Sequence, residues 1–216
     1  MSNTKHQIIK NISHERFLPY LNIAKQNEAK ALLAYEFNIR LAESFYPILH
    51  NLEISLRNIF NQKIQEIYGQ EWLLNKKLIL GTNQKELDNL EKVNQIIKKF
   101  KTENQSTIIS NLSLGFWLSL LYPNYEISLW RPALRNAFSY QNKITRRDVQ
   151  NKLRDVKFIR NRIAHHECIL KLDLKFYHNN AGEILRDIAP ENLEFTNKID
   201  RFNEILKEWE DYLGDL

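Results

Sequence analysis

Apolar residues recur at three- and four-residue spacing along nearly the whole chain, with little alternation of period two, which predicts an all-α protein. After a short polar start, a helix is expected over about 27–46, where Pro47 either kinks it or opens the next one. The second, PILHNLEISLRNIFNQKIQEIYG, carries Leu49, Leu52, Leu56, Ile59, Phe60, Ile64 and Ile67 on one stripe and ends at Gly69, a C-terminal cap residue. A polar helix follows over about 83–101, with Asn83 and Glu86 at capping-box spacing. SNLSLGFWLSLLYP predicts a short, strongly apolar helix that Pro123 stops, the central core element, with another short helix over 127–138. Residues 172–213 read as one or two further amphipathic helices, broken near Pro190. No domain boundary, repeat or low-complexity linker interrupts the pattern, so residues 1–216 are expected to form a single helical domain.

A longer helix begins near Thr145, which stands at capping-box spacing from Asp148, and closes on FIRNRIAHHE, residues 158–167. Its apolar stripe is Val149, Leu153, Val156, Ile159 and Ile163. Steps of four and three from Val149 land on Arg160 instead of a leucine. A charge on an inward or partner-facing stripe is costly unless it is paired or wetted.

Composition narrows the chemistry. Of 216 residues 43% are hydrophobic and 26% charged, the balance of a folded soluble protein. The five glycines, at 69, 81, 115, 182 and 214, lie too far apart for a phosphate-cradling loop, which excludes the P-loop and the dinucleotide-binding fingerprint. One cysteine, Cys168, excludes an internal disulfide and a multi-cysteine zinc site. No apolar run reaches the roughly 18 residues of a membrane span, and MSNTKHQIIK lacks a signal-peptide apolar region, so a cytoplasmic location is expected.

Charge is unevenly placed. The net charge is +5, yet ten basic residues between Arg131 and Arg162 face two acidic ones, a local +8 that leaves −3 for the rest of the chain. Such a concentration suits a polyanionic partner, or else a solvated helix face.

FIRNRIAHHE admits several readings. On a helix, at about 100° and 1.5 Å per residue, Asn161 shares a face with His165, and Arg162 with His166. Arg160 lies about 140° around from His165, so one helix makes half a site. A metal site is poorly served: adjacent histidines diverge by about 100°, ligands would have to come from His50 or Glu53, and the basic field repels a cation. A buried polar network of Asn161, His165 and Glu167 is a structural alternative. Nucleophilic chemistry at Cys168 with His165 lacks an orienting third group. His50, Glu53 and Arg57 share one helical face, where an intrahelical Glu53–Arg57 pair is the expected arrangement.

Arg160-Asn161 followed by His165 resembles the R-x4-6-H motif of the HEPN superfamily, with Asn161 as the polar residue after the arginine. LEISLRN at 52–58, GFWLSLL at 115–121, Trp130-Arg131-Pro132 and RNRIAHHE at 160–167, in that order, resemble the abortive infection (Abi) family of AbiD and AbiF type. Cys168 departs from the pattern, where proline often follows HHE. The resemblance implies a HEPN-type helical bundle acting as a metal-independent endoribonuclease in phage defence or as a toxin, with the active site formed where two such helices meet, commonly in a homodimer.

The chemistry suits these residues. RNA supplies its own 2′-hydroxyl nucleophile, so the protein need provide only proton transfer and cations for the developing charge. Histidine titrates near neutral pH, which gives His165 the general acid or base role with His166 assisting. Arg160 would hold the scissile phosphate and Asn161 would orient His165 or the phosphate. Arg146, Arg147, Lys152, Arg154, Lys157 and Arg162 would track the RNA backbone. The expected partners are RNA, a noncoding RNA or tRNA among the candidates, a second copy of the chain, and an antitoxin or regulatory partner, with no metal or cofactor. The alternative is a catalytically silent HEPN-like module that binds RNA or protein.

Overall fold

The computed structural model describes residues 2–74, 84–101, 104–139 and 144–214, and in them it is all-α, a helical bundle without strands. Two helices stand where a short polar start was expected: α1 (Ser2–Ile12) and α2 (His14–Ile23). Ser13 caps α2 by accepting the Arg16 N–H at 3.4 Å, and Phe17 and Tyr20 are buried from it. Pro19 inside α2 argues against a helix in sequence, yet those two aromatics hold it in place.

The next pair follows the pattern closely. α3 (Glu28–Ser44) starts where the Asn27 side chain accepts the Lys30 N–H at 3.1 Å, and α4 (Tyr46–Tyr68) follows after Phe45 alone, with Pro47 in its first turn. Gly69 ends α4 at φ 80°, a left-handed conformation that a side chain disfavours. Leu49, Leu52, Leu56, Phe60 and Ile64 are buried, but Ile59 is half-buried and Ile67 is 51% exposed. In the last turn Tyr68 faces inward instead, donating its hydroxyl to the Ser128 carbonyl.

The middle of the chain is more broken than its periodicity suggests. α5 (Gln84–Phe100) matches the expected polar helix, while the capping box of Asn83 with Glu86 lies outside the described residues. The expected apolar helix over 110–123 is split into α6 (Gln105–Asn111) and α7 (Leu114–Ser119) by extended backbone at Leu112 and Ser113. Its central place in the core holds, since Phe116, Trp117, Leu118, Leu120 and Leu121 are all buried. Pro123 opens a 3-10 turn, Pro123–Tyr125, followed by a π turn, Glu126–Trp130, and a second 3-10 turn, Leu134–Ala137, in place of one helix over 127–138. Pro132 accounts for that break, having no N–H to donate and a ring that clashes with a continuing helix.

α8 (Arg146–Ala164) carries the capping box as expected: Thr145 N–H donates to Asp148 Oδ2 at 3.2 Å, and Asp148 N–H to Thr145 Oγ1 at 3.2 Å. Val149, Leu153, Val156 and Ile159 are buried. Three helices follow: α9 (Leu174–Ile188), α10 (Pro190–Asn197) and α11 (Phe202–Gly214). α9 packs against both α4 and α8, α7 bridges the same two helices, and α3 joins α2 to α11. The buried apolar side chains form one cluster. No described helix is long and apolar enough to cross a membrane.

The turn between α10 and α11 is fixed by a half-buried pair. Asp200 Oδ1 accepts the Phe202 N–H at 2.8 Å, and its Oδ2 lies 2.8 Å from His178 Nε2, whose ring stacks on Phe202 with centroids 4.1 Å apart. Burial raises the Asp200 pKa, but the bonds from His178 and the Phe202 N–H outweigh it and hold the carboxyl below its ordinary value of 3.8. A depressed carboxylate stabilises the fold above its unfolded pKa and loses that contribution as pH falls through the folded one. Asp200→Asn is expected to lower stability by about 1–3 kcal/mol at neutral pH. The deficit should shrink below about pH 4, as followed by thermal melts across pH; a deficit independent of pH would contradict a carboxylate held below its ordinary pKa.

Candidate functional site

α8 ends at Ala164 in a Schellman-type cap, which decides where FIRNRIAHHE points. His166 N–H donates to the Ile163 carbonyl at 3.0 Å and Glu167 N–H to the Arg162 carbonyl at 2.9 Å. His166 takes the left-handed position at φ 56°, where glycine is the usual residue. The segment beyond is anchored by buried Asn38, whose Nδ2 donates to the Glu167 carbonyl at 3.3 Å and whose Oδ1 accepts the Ile169 N–H at 2.8 Å. His165 and His166 are therefore exposed on a turn fixed at both ends.

Arg160 opens on a different side. It lines a groove of 590 Å³ between α4 and the end of α8, closed by Ser110 and the Leu112–Leu114 link. Its Nε donates to Glu53 Oε1 at 3.0 Å, so Glu53 pairs across the groove and not with Arg57 along its own helix. Arg57 turns instead to Asn58 and to the Ser110 carbonyl, at 3.4 and 3.5 Å. The side chains of Arg160 and Glu53 are 41% and 29% exposed, and the terminal nitrogens of Arg160 form no hydrogen bond among the described residues. His50 lines the same groove, stacked on Tyr46 with ring centroids 5.3 Å apart.

His165 and His166 line a second pocket, of 720 Å³, with Arg16, Pro19, Arg162, Glu167, Cys168 and Lys171. Arg162 is held by Glu167 at 2.6 Å and by the Phe158 ring, 4.6 Å from its guanidinium carbon. Burial pushes the Cys168 thiol above its ordinary value, opposite to the activation a nucleophile needs. Exposure of His165, His166 and Glu167 also sets aside the buried-network reading. No cluster of three or more metal-ligating side chains is present among the described residues.

The basic residues divide by role. Arg146 is only 13% exposed, bonding Glu126 at 2.7 Å, Gln150 at 2.9 Å and the Leu121 carbonyl, so it fastens the 121–126 turn to the start of α8. Lys152 pairs with Glu183 of α9 at 2.5 Å. Lys157 runs beside Gly115 of α7, where an added Cβ would lie 3.2 Å from its Nζ. Arg147 and Arg154 are exposed, and at seven-residue spacing they share one flank of α8 with Asn161, leading to His165.

Sequence reasoning missed Glu53 and His50 as neighbours of Arg160, and Arg16 and Lys171 as neighbours of the histidines. Glu53 carried a signal: it lies four residues after Leu49 and three before Leu56, in the register of the apolar stripe of α4.

Among protein families, a model described as Abi-like protein matches residues 7–171, which include α2, α4, α8 and both pockets. Neither the curated proteins nor the solved structures hold a match to the chain.

A left-handed histidine is strained by about 1 kcal/mol relative to glycine. His166→Gly is accordingly expected to raise the melting temperature by a few degrees, while any activity that uses the imidazole falls. A lower melting temperature in the glycine variant would show that the side chain itself supports the turn.

Proposed function

The chain belongs to the Abi-like protein family, and on that footing we propose that it is a metal-independent endoribonuclease of HEPN type acting in phage defence by abortive infection, or as a toxin. The observation that carries the reading is the solvent access of Arg160, His165 and His166 together at the end of α8, each fixed by bonds to its neighbours and none enclosed in the core.

His165 acts as general acid or base on the 2′-hydroxyl or the leaving 5′-oxygen, with His166 assisting. The oxygen displaced from phosphorus leaves with a proton, and the product carries a 2′,3′-cyclic phosphate. The terminal nitrogens of Arg160 hold the scissile phosphate while its Nε stays on Glu53, and Asn161 orients the histidine or the phosphate. Arg160 and His165 open into different pockets at one helix end, which favours completion of the site by a second copy of the chain. Arg147 and Arg154 lead the RNA backbone toward His165, with Lys157 and Arg162 beside them, while Arg146 and Lys152 contribute to the same positive field from within their ion pairs.

A second reading, a catalytically silent module that binds RNA or a partner protein, draws support from the Glu53 carboxylate, which already neutralises Arg160. The two separate on activity. Purified protein is expected to cut RNA to cyclic-phosphate ends, and both His165→Ala and Arg160→Ala should reduce the rate by at least about 100-fold with the helical circular dichroism unchanged. Equal cleavage by the His165→Ala protein would overturn the assignment, and intact RNA with every variant would favour the silent module. RNA binding should weaken linearly in log salt, and Arg147→Ala with Arg154→Ala should flatten that line by about 0.7 for each phosphate no longer neutralised; an unaltered slope would remove these two arginines from the RNA path.

A further inference from the structure

We infer that Arg16 and Lys171, with Arg162, form a phosphate subsite beside His165 and His166, occupied by an RNA backbone phosphate neighbouring the one that is cut. The inference rests on the ribonuclease reading and adds to it a part of the chain, α2, with no place in the R-x4-6-H pattern.

Three separate parts of the fold converge on this pocket. α2 brings Arg16, the last turn of α8 brings Arg162, and the segment after the helix brings Lys171. Each support is rigid. Phe17 and Tyr20 root α2 in the core, with the Tyr20 ring edge-on to Tyr35 at 5.2 Å, and buried Ile169 and Leu170 together with Asn38 fix the approach to Lys171. Against the three cations stands one carboxylate, Glu167, already bonded to Arg162. The side chains of Arg16 and Lys171 make no hydrogen bond or ion pair among the described residues.

The floor supplies no countercharge either. Cys168 lines it, and burial holds its thiol above its ordinary pKa and so uncharged. Gathering like charges on fixed supports raises the energy of the free protein, and an anion relieves it. A guanidinium offers paired N–H donors to phosphate oxygens and an ammonium offers a compact charge, so a tetrahedral phosphate suits this rim better than a metal or a neutral ligand. Arg16 and Lys171 bind and position the chain; the proton transfers stay with the histidines.

A short 2′-O-methyl oligouridylate, which lacks the nucleophile and is not cut, tests the subsite through its affinity at several salt concentrations. Arg16→Ala with Lys171→Ala is expected to flatten the log Kd against log salt line by up to about 0.7, the share of the one single-strand phosphate that the subsite holds, with circular dichroism unchanged, and Arg16→Lys alone should leave the slope as it is. In the unmodified protein the same oligonucleotide should protect Lys171 from acetylation, a readout independent of how the variants fold. An unaltered slope together with full acetylation of Lys171 under saturating oligonucleotide would overturn the subsite and leave the ribonuclease reading standing. Protection by inorganic phosphate but not by the oligonucleotide would overturn the assignment to RNA. Absence of any salt-dependent binding by the unmodified protein would remove the ribonuclease reading, and the subsite with it.

Discussion

Two opposite charges stand in the register of apolar stripes on two different helices, and the groove at the candidate site depends on them. Glu53 lies between Leu49 and Leu56 on α4, and Arg160 follows Val156 on α8. Burying both completely would cost several kcal/mol per ion before their attraction is counted. α4 and α8 are held together instead through α9 and α7, and at this end they stay far enough apart for water to reach the pair. Apolar residues at both positions would favour closing the groove.

Much of this was legible in the sequence, and what was not has identifiable physical causes. The capping box at Thr145, the Gly69 stop and the stripe of α8 are local signals, and each appears where the pattern put it. The partner of Glu53 was not legible, because a carboxylate four residues before an arginine looks like an intrahelical pair until the neighbouring helix is placed. The direction of His165 and His166 depended on where α8 ends. A histidine in the left-handed position closes the helix without glycine, so the usual stop signal was missing. α2 was hidden by its proline and its polar residues, and only the burial of Phe17 and Tyr20 reveals why it folds.

The basic segment shows why a charge count overstates a binding surface. Arg146 and Lys152 are engaged with Glu126 and Glu183, which tie α8 to its neighbours. On α8 itself, the exposed arginines Arg147 and Arg154 are spaced by two helical turns and continue to Asn161. A surface of this kind is narrow and directional, whereas the +8 total suggested a broad field. Part of the positive charge at the histidine pocket comes from outside the segment altogether, from Arg16 and Lys171.

The ion pair of Arg160 with Glu53 is partly exposed, and pairs of that kind add little to stability. Its larger effect is on geometry. A guanidinium is planar, so a carboxylate on Nε constrains the plane and leaves the two terminal nitrogens as a fork without a hydrogen-bond partner among the described residues. The turn after α8 does the corresponding work for the histidines, holding them by Asn38 on one side and the helix cap on the other. On the ribonuclease reading, the fork and the imidazole are each preorganised within one chain but face different pockets. The helix that fixes both also keeps them apart, and this separation is the physical argument for a site completed between two copies.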